Sequence, residues 1–225
     1  MKSKLTLLFT LLLLITETMA EELNTQKEML SYSIGMSIGK NLKNEQTDVD
    51  QALLIEGMKN ALSGEHLRLS DKQWRSVMSA YMSEMSQRAK SARLQAQEEN
   101  KKKSDAYLAR NQADKRVVVL SSGVQYKVIN EGSGAKPGDA SVVQVNYRGT
   151  KTDGSEFDAT EPGHPAKLKL AALIPGWRET LKLMATGSKW QIVIPPQLAY
   201  GERGAGSDIG PNEALIFDVE LVAVE

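Results

Sequence analysis

The sequence predicts an α+β protein whose C-terminal part is a twisted antiparallel β-sheet wrapped on one short helix, and whose remaining part is helical. Two observations carry this prediction. Hydrophobic residues recur with helical spacing up to about residue 114, and from about residue 117 they alternate with polar residues as in half-buried strands. A long uninterrupted helical segment separates the two patterns. We therefore expect one long helix to join an N-terminal all-α dimerisation module to the sheet domain.

The first 20 residues have the pattern of a secretory signal peptide. Lys2 and Lys4 precede an apolar run, and small residues follow it at the positions that a signal peptidase recognises. The run has about 11 apolar residues, whereas a membrane-spanning helix needs about 20, so a retained anchor is the weaker interpretation. We predict removal of residues 1–20 and export, with no integral membrane span in the mature chain. The periplasm, the cell envelope, the cell surface and the medium are the alternative destinations.

The composition excludes several classes of function. The chain contains no cysteine, so it forms no disulfide and has no thiolate nucleophile. Basic and acidic residues number 28 each, and this balance argues against nucleic acid as a partner. His66 and His164 are isolated and have no second ligand at metal spacing. We predict neither a metal site nor a cofactor.

Residues 21–69 predict the helical module. An apolar stripe with four-residue spacing begins at Leu30, and Gly35 and Gly39 lie beside it in the same predicted helix. A glycine inside a helix costs about 1 kcal/mol relative to alanine. We therefore expect another helix to approach closely at these two positions.

A second short helix is predicted in this module between Asp50, a favourable N-cap residue, and Gly64, a favourable C-cap residue. Its apolar residues Leu54, Met58 and Leu62 are expected to point inward. Two short helices without a disulfide or a metal rarely bury enough apolar surface to fold alone. We therefore predict a homodimer formed through this module; packing on the C-terminal domain of the same chain is the alternative.

Residues 70–114 predict one long linker helix. Ser70 and Gln73 match a capping box, and neither glycine nor proline occurs from there to Asn111. Such a helix would have about 40 residues and a length of ~60 Å. Residues 95–105 are almost wholly polar, so we expect this stretch to cross solvent between two domains. The lysines have acidic neighbours, which favours a solvated helix face over a nucleic-acid or membrane patch.

Residues 115–225 predict the sheet domain. Apolar and polar residues alternate in segments that begin near Val124, Val143 and Trp190, and again in the last strand of the chain. Turn sequences rich in glycine and proline separate these segments. One short helix interrupts them, and Ile174-Pro175-Gly176-Trp177 opens it because proline is favourable in the first helical turn. Trp190 shares a strand face with aliphatic residues and is predicted to belong to the core.

Several short motifs occur in order within the sheet domain. They are Val145-Asn146-Tyr147, Gly154-Ser155-Glu156-Phe157-Asp158, Leu173-Ile174-Pro175-Gly176-Trp177, Pro195-Pro196-Gln197-Leu198-Ala199-Tyr200-Gly201 and Leu215-Ile216-Phe217-Asp218-Val219-Glu220-Leu221. Together they resemble the FKBP-type peptidyl-prolyl cis-trans isomerases. Segments 30–35 and 122–129 resemble the macrophage infectivity potentiator (Mip) and FkpA branch of that family. The resemblance covers essentially the whole mature chain.

This resemblance implies an enzyme that accelerates rotation about X-Pro bonds in unfolded or proline-containing polypeptides. The barrier to this rotation is about 18 to 20 kcal/mol, because twisting the bond removes amide resonance. The rotation breaks no covalent bond, so its catalyst needs no nucleophile. This is consistent with the aromatic residues of the motifs, which have no nucleophile beside them. An apolar pocket can catalyse the rotation by removing water from the amide and binding its twisted form preferentially.

The resemblance also implies the site residues. Three are catalytic candidates: the Asp158 carboxylate points at the twisting amide, and the Tyr200 hydroxyl and the Ile174 backbone N–H bind substrate carbonyls. The substrate-binding candidates, with Trp177 as the pocket floor, are Tyr147, Phe157, Leu173, Trp177, Ile209, Phe217 and Ala166. Two alternatives stay open. Asp158 could instead fix the loop through Tyr147, and Trp177 could be an ordinary core residue.

The chain departs from the family at one wall of the pocket. Ala166 and Leu168 stand where many members have an aromatic residue, so this wall is expected to be aliphatic and more open. The resemblance implies macrolide inhibitors as ligands, and this departure bears on their affinity. The leading hypothesis is a folding catalyst for exported proteins with chaperone activity. The alternative is a holdase chaperone or a virulence-associated binding protein in which isomerisation is incidental.

Overall fold

The computed structural model describes residues 22–225, and the predicted signal peptide lies outside this range. The chain divides into two compact units, one ending at Val77 and one running from Met78 to Glu225. We call them the N-terminal unit and the C-terminal unit. Within the described range, the helices are all too short or too polar to cross a membrane.

The N-terminal unit contains two capped helices, α1 (Gln26–Asn44) and α2 (Gln51–Ser63), followed by the first turns of a third. The side chain of Asp50 accepts hydrogen bonds from two backbone N–H groups in the first turn of α2. Gly64 ends α2 with a left-handed φ of 73°. The predicted bounds of α2 are therefore confirmed.

Most apolar side chains of α1 and α2 are exposed, and only Ile38, Leu42 and Leu54 are half-buried. Neither helix contains a buried residue. A Cβ atom added at Gly35 or Gly39 would meet nothing within 4 Å, so the close helix approach expected there is not made within the described chain. The inward orientation predicted for Leu62 is wrong, since this residue is 87% exposed. It lies in the last turn of α2, where no other described segment covers it.

A single helix, α3 (Asp71–Asn111), has 41 residues, which confirms the predicted long helix. Ser70 and Gln73 bond reciprocally at its start, as in a capping box. The prediction that residues 95–105 cross solvent is wrong. Ser104 is only 1% exposed and is hydrogen-bonded to the sheet domain. Polar residues can be buried when each finds a hydrogen-bond partner, and here those partners are backbone groups of a loop.

The sheet of the C-terminal unit has seven antiparallel strands. Six follow the order β1-β2-β6-β7-β3-β4, and the seventh, β5, lies on the same side of β3 as β4 and pairs with the first residues of β3. Their bounds are β1 (Val117–Val119), β2 (Gln125–Asn130), β3 (Val142–Lys151), β4 (Glu156–Ala159), β5 (Ala166–Lys169), β6 (Lys189–Ile194) and β7 (Leu215–Val224). The short helix α4 (Pro175–Leu181) lies between β5 and β6 in the chain. The predicted α+β class is confirmed.

The core lies between α4 and the sheet. Trp177 and Leu181 of α4 belong to one buried cluster with Ile192, Ile194 and the apolar residues of β7. A Cβ atom at Gly176 would lie 2.5 Å from the Ile194 side chain, so this glycine lets α4 sit directly on β6. Trp190 is 4% exposed and stacks on Tyr126, which confirms its predicted core position.

Candidate active site

Four of the predicted aromatic residues meet at one end of this core. The Trp177 ring makes edge-to-face contacts with Tyr147 at 5.3 Å and with Phe217 at 5.2 Å between ring centroids. Phe157 contacts Phe217 in the same way at 5.6 Å. Perpendicular pairs of this kind are favourable because the positive edge of one ring meets the negative face of the other. The four rings come from α4, β3, β4 and β7, so the tertiary fold assembles this cluster.

A glycine in β3 makes room for two of the rings. A Cβ atom at Gly149 would lie 2.7 Å from the Phe157 ring and 2.9 Å from the Phe217 ring. Any other residue would therefore push the rings apart. Sequence reasoning missed Gly149, although an isolated glycine within an alternating strand indicates close approach of another group.

Aliphatic residues continue the apolar surface. Ile209 is buried, and Leu173 and Ile174 are half-buried; all three pack with the same core cluster as Trp177. On β5, Leu168 joins this cluster, whereas Ala166 pairs with Val145 of β3 and does not contribute to it. The structure thus brings nine of the ten predicted site residues to one region and leaves Ala166 at its edge.

The Ile174 backbone lies at the start of α4. Its carbonyl accepts from Arg178, as expected of a residue that caps a helix. The Ile174 N–H donates no hydrogen bond to any described residue. This donor is therefore available to an incoming carbonyl group.

Asp158 is exposed on β4 and accepts a hydrogen bond of 2.6 Å from the Tyr147 hydroxyl. Burial raises the pKa of the Tyr147 hydroxyl well above its ordinary value, and the bond to Asp158 raises this pKa further. Thr160 bonds the backbone of Tyr147 in both directions, so the end of β4 is tied to β3. Asp158 is therefore held beside the Tyr147 ring at the rim of the aromatic cluster.

Tyr200 follows a short 3₁₀ turn, Pro196–Leu198, and is 40% exposed. Its hydroxyl makes no hydrogen bond with the described residues. Burial and the bond to Asp158 raise the pKa of Tyr147 most, and Tyr200 adds a smaller increase, which is consistent with two neighbouring phenols. Gly201, which has a φ of 59°, turns the chain immediately after Tyr200. The residues that follow, up to Ala214, form a loop that returns to β7.

We call the region formed by these residues the aromatic cleft; its side chains are mainly apolar, with two unengaged donors and one carboxylate at its rim. Among the described residues, we find no group of three or more acidic, histidine or cysteine side chains that could hold a metal ion. His164 lies in a surface turn, where its ring is 3.2 Å from the Pro162 carbonyl oxygen. The arrangement can bind an apolar ring and engage two carbonyl groups.

Comparison with known proteins gives the same family from both halves of the chain. The family model described as FKBP-type peptidyl-prolyl cis-trans isomerase matches residues 133–222, and the model of the domain amino-terminal to it matches residues 27–128. The outer membrane protein MIP of Legionella longbeachae is 44% identical over 209 residues, which are 92% of this chain and 90% of that protein. The chain belongs to the FKBP-type peptidyl-prolyl cis-trans isomerases.

Two further relatives place this FKBP-type isomerase within the family. The FKBP-type isomerase FkpA of Aeromonas hydrophila is 38% identical over 91% of this chain and 78% of that protein. The crystal structure of FkpA from Escherichia coli matches with a TM-score of 0.69 and 33% identity, over 91% of this chain and 99% of that chain. The resemblance to the Mip and FkpA branch is therefore confirmed, and with it the activity of a peptidyl-prolyl cis-trans isomerase.

Proposed function

We propose that the aromatic cleft is the site at which this isomerase twists X-Pro bonds of exported polypeptides. The observation that carries the proposal is the perpendicular packing of Trp177 with Tyr147 and Phe217 around an apolar surface. A proline ring would lie on Trp177, with Tyr147, Phe157 and Phe217 as aromatic walls. Leu173 and Ile209 would close the remaining sides. Ala166 would lie at the outer edge, where it bears on the residue that precedes proline.

Polar groups at the rim would bind the peptide on each side of the twisting bond. The unengaged N–H of Ile174 and the Tyr200 hydroxyl are donors suited to two substrate carbonyls. Because a planar amide has more charge separation than a twisted one, removal of water favours the twisted form. A rate enhancement of 10³ needs a preference of about 4 kcal/mol for the twisted amide, which desolvation and two hydrogen bonds can supply.

For Asp158, we propose that its charge acts beside the twisting amide and that its bond to Tyr147 sets its position. The two roles predicted from the sequence are a direct effect on the amide and a structural bond to Tyr147. Both are compatible with the same geometry, because the carboxylate that bonds Tyr147 also lies at the cleft rim. Asp158→Leu removes the charge and the bond together. Tyr147→Phe removes only the bond, so a comparison of the two variants separates the roles.

The test is a protease-coupled isomerase assay on a short peptide that contains a Leu-Pro bond. We expect Asp158→Leu and Tyr200→Phe each to lower kcat/KM by about tenfold. Lys169→Gln, an exposed change on β5, is the matched surface control and should leave kcat/KM unchanged. Turnover that neither site variant affects would reject the pocket assignment.

We further propose that the protein functions as a homodimer in the cell envelope. The unpacked glycines and exposed apolar side chains of α1 support a second copy as the partner of this helix. The sequence of residues 1–20 supports export, and one relative is named an outer membrane protein. Macrolide inhibitors would compete for the aromatic cleft, with less contact at the aliphatic wall around Leu168.

The second candidate function is a holdase chaperone, which the exposed apolar residues of the N-terminal unit favour. Both functions can reside in one molecule, but they depend on different surfaces. Trp177→Ala should abolish isomerisation. Unchanged suppression of aggregation of an unfolded protein by this variant would show that holding does not need the cleft, and its loss would assign both activities to the cleft.

A further inference from the structure

The C-terminal half of α3 packs one row of side chains against the loop that follows Tyr200. We call residues 199–214 the cleft loop, since Tyr200 and Ile209 belong to it. The row has helical spacings of four, three and four residues, which place its members on one face of α3. Its members are Arg93, Gln97, Asn100 and Ser104. All of them lie in the C-terminal unit, as does the cleft loop.

The row bonds to the backbone of the cleft loop near both of its ends. At the first end, Arg93 and Gln97 donate to the Glu202 carbonyl oxygen at 3.3 and 3.2 Å. At the second end, Asn100 donates to the Pro211 carbonyl oxygen at 2.9 Å. Gly210 lies against the same amide, because a Cβ atom there would come within 2.8 Å of the Asn100 side chain.

Ser104 makes the most complete contact of the row. Its hydroxyl donates to the Asn212 carbonyl oxygen at 2.8 Å and accepts from the Ala214 N–H at 2.7 Å. It is 1% exposed and is the buried residue of α3. Asn212 has a left-handed φ of 57°, a conformation that asparagine adopts more readily than most residues, and its side chain donates to the Gln97 carbonyl oxygen. The helix thus fixes the left-handed residue that lies three positions before β7.

The cleft loop needs such support. Gly201, Gly204 and Gly206 all have positive φ, and glycines lose more conformational entropy on ordering than other residues. Inside the loop, the backbone bonds are a mutual pair between Ala205 and Ile209 and one bond from Asn212 to Gly201. Beside Tyr200, the N–H groups of Ala199 and Gly201 both donate to the Pro196 carbonyl oxygen, so the 3₁₀ turn holds the start of the loop. From Glu202 onward, the bonds to α3 hold the loop at both of its ends.

We propose that Ser104 and Asn100 are positioning residues for the isomerase reaction, which they support by holding the cleft loop in the conformation that presents Tyr200 to the substrate. Neither residue touches the cleft itself. The proposal rests on the proposed function of the cleft. It gives α3 a role in catalysis in addition to its role as a connection between the two units.

The first experiment is a double-mutant cycle in the full mature chain, with Ser104→Ala, Tyr200→Phe and both changes together. Because Ser104 acts through Tyr200, we expect Ser104→Ala to lower kcat/KM by about fivefold in the wild-type background. In the Tyr200→Phe background, the same change should cost clearly less. Ser91→Ala, an exposed serine of the same helix, is the matched control and should leave kcat/KM unchanged.

The second experiment is hydrogen exchange of the same variants. Ser104→Ala should accelerate exchange of the backbone amides in the cleft loop and leave β6 and β7 protected as in the parent protein. If Ser104→Ala does not fold, Asn100→Asp serves in its place, because it keeps the shape of a half-buried side chain and removes the donor to Pro211.

The outcomes separate this proposal from the proposed function. If Tyr200→Phe and Trp177→Ala leave turnover unchanged, the cleft assignment fails, whatever the cleft loop does. If those two variants lower turnover but Ser104→Ala and Asn100→Asp do not, the positioning role is overturned. Equal losses from Ser104→Ala in both backgrounds of the cycle would also overturn it, since the effect would then bypass Tyr200.

Discussion

At the scale of single residues, the contact between Tyr147 and Asp158 is the most informative electrostatic feature of the cleft. A phenol that is partly buried and bonded to a carboxylate resists ionisation, because the phenolate would be desolvated and would lie beside another negative charge. The contact therefore keeps Tyr147 a hydrogen-bond donor and holds Asp158 in one place.

The titration of Tyr147 tests this contact. Its pKa is raised in the folded state, so its contribution to stability is fully present below the unfolded-state value of about 10 and is lost as the pH rises through the folded-state value. We expect the tyrosinate absorbance of the parent protein and of Tyr147→Phe to coincide up to and somewhat above that pH. They should separate only at still higher pH.

Asp158→Asn tests whether the carboxylate of Asp158 raises the pKa of Tyr147. Without the carboxylate, the pKa of Tyr147 should fall toward its ordinary value, so its absorbance change should begin at lower pH. Asp153→Asn, which changes a carboxylate bonded to Ser155 rather than to Tyr147, should leave the curve of the parent protein in place. If Asp158→Asn left the titration of Tyr147 unchanged, the contact between the two residues would be contradicted.

At the scale of elements, the close approach of β3 to the rings of β4 and β7 depends on Gly149. We expect Gly149→Ala to displace Phe157 and Phe217, to lower the free energy of unfolding by about 1–3 kcal/mol, and to reduce kcat/KM. Urea unfolding and the peptide assay measure the two effects. Gly138→Ala is the matched control, since a Cβ atom there would meet nothing within 4 Å. A Gly149→Ala variant as stable and active as the parent would refute the packing argument.

Local chemistry made the bounds of several elements predictable from the sequence. Asp50 and Gly64 mark α2, and Ser70 with Gln73 marks the start of α3, because caps satisfy backbone groups that a helix end leaves free. The aromatic members of the cleft were predictable through family motifs. Alternation and spacing alone would have given the strands but not the meeting of four rings from four elements.

The polar row of α3 was not predictable in the same way. Gln97, Asn100 and Ser104 are residue types that usually face water, and their partners are backbone groups of a loop more than 100 positions away. A sequence pattern records which side chains are apolar, but it does not record which carbonyl groups a distant loop will offer. Gly149 belongs to the same class, since only the fold shows what fills the space above it.

At the scale of the whole molecule, the exposed apolar surface of the N-terminal unit is the strongest argument for self-association. Leu30 and Ile34 of α1 are 61% and 53% exposed, and the two glycines beside them contact no other segment of the described chain. Large exposed apolar surfaces on soluble proteins commonly mark interaction sites. A second copy of the same helix would cover this surface and would give Gly35 and Gly39 the close neighbour that explains them.

Analytical ultracentrifugation of the mature protein tests the homodimer, which we expect at micromolar concentration. Leu30→Lys together with Ile34→Lys should shift the sedimentation coefficient to that of a monomer, because two charges would be buried in an apolar interface. Leu183→Lys makes the same chemical change on an exposed residue of the C-terminal unit and should leave the dimer intact. Turnover of a short peptide should be similar in monomer and dimer, since the cleft residues all lie in the C-terminal unit. A parent protein that sediments as a monomer would contradict the homodimer while leaving the cleft assignment untouched.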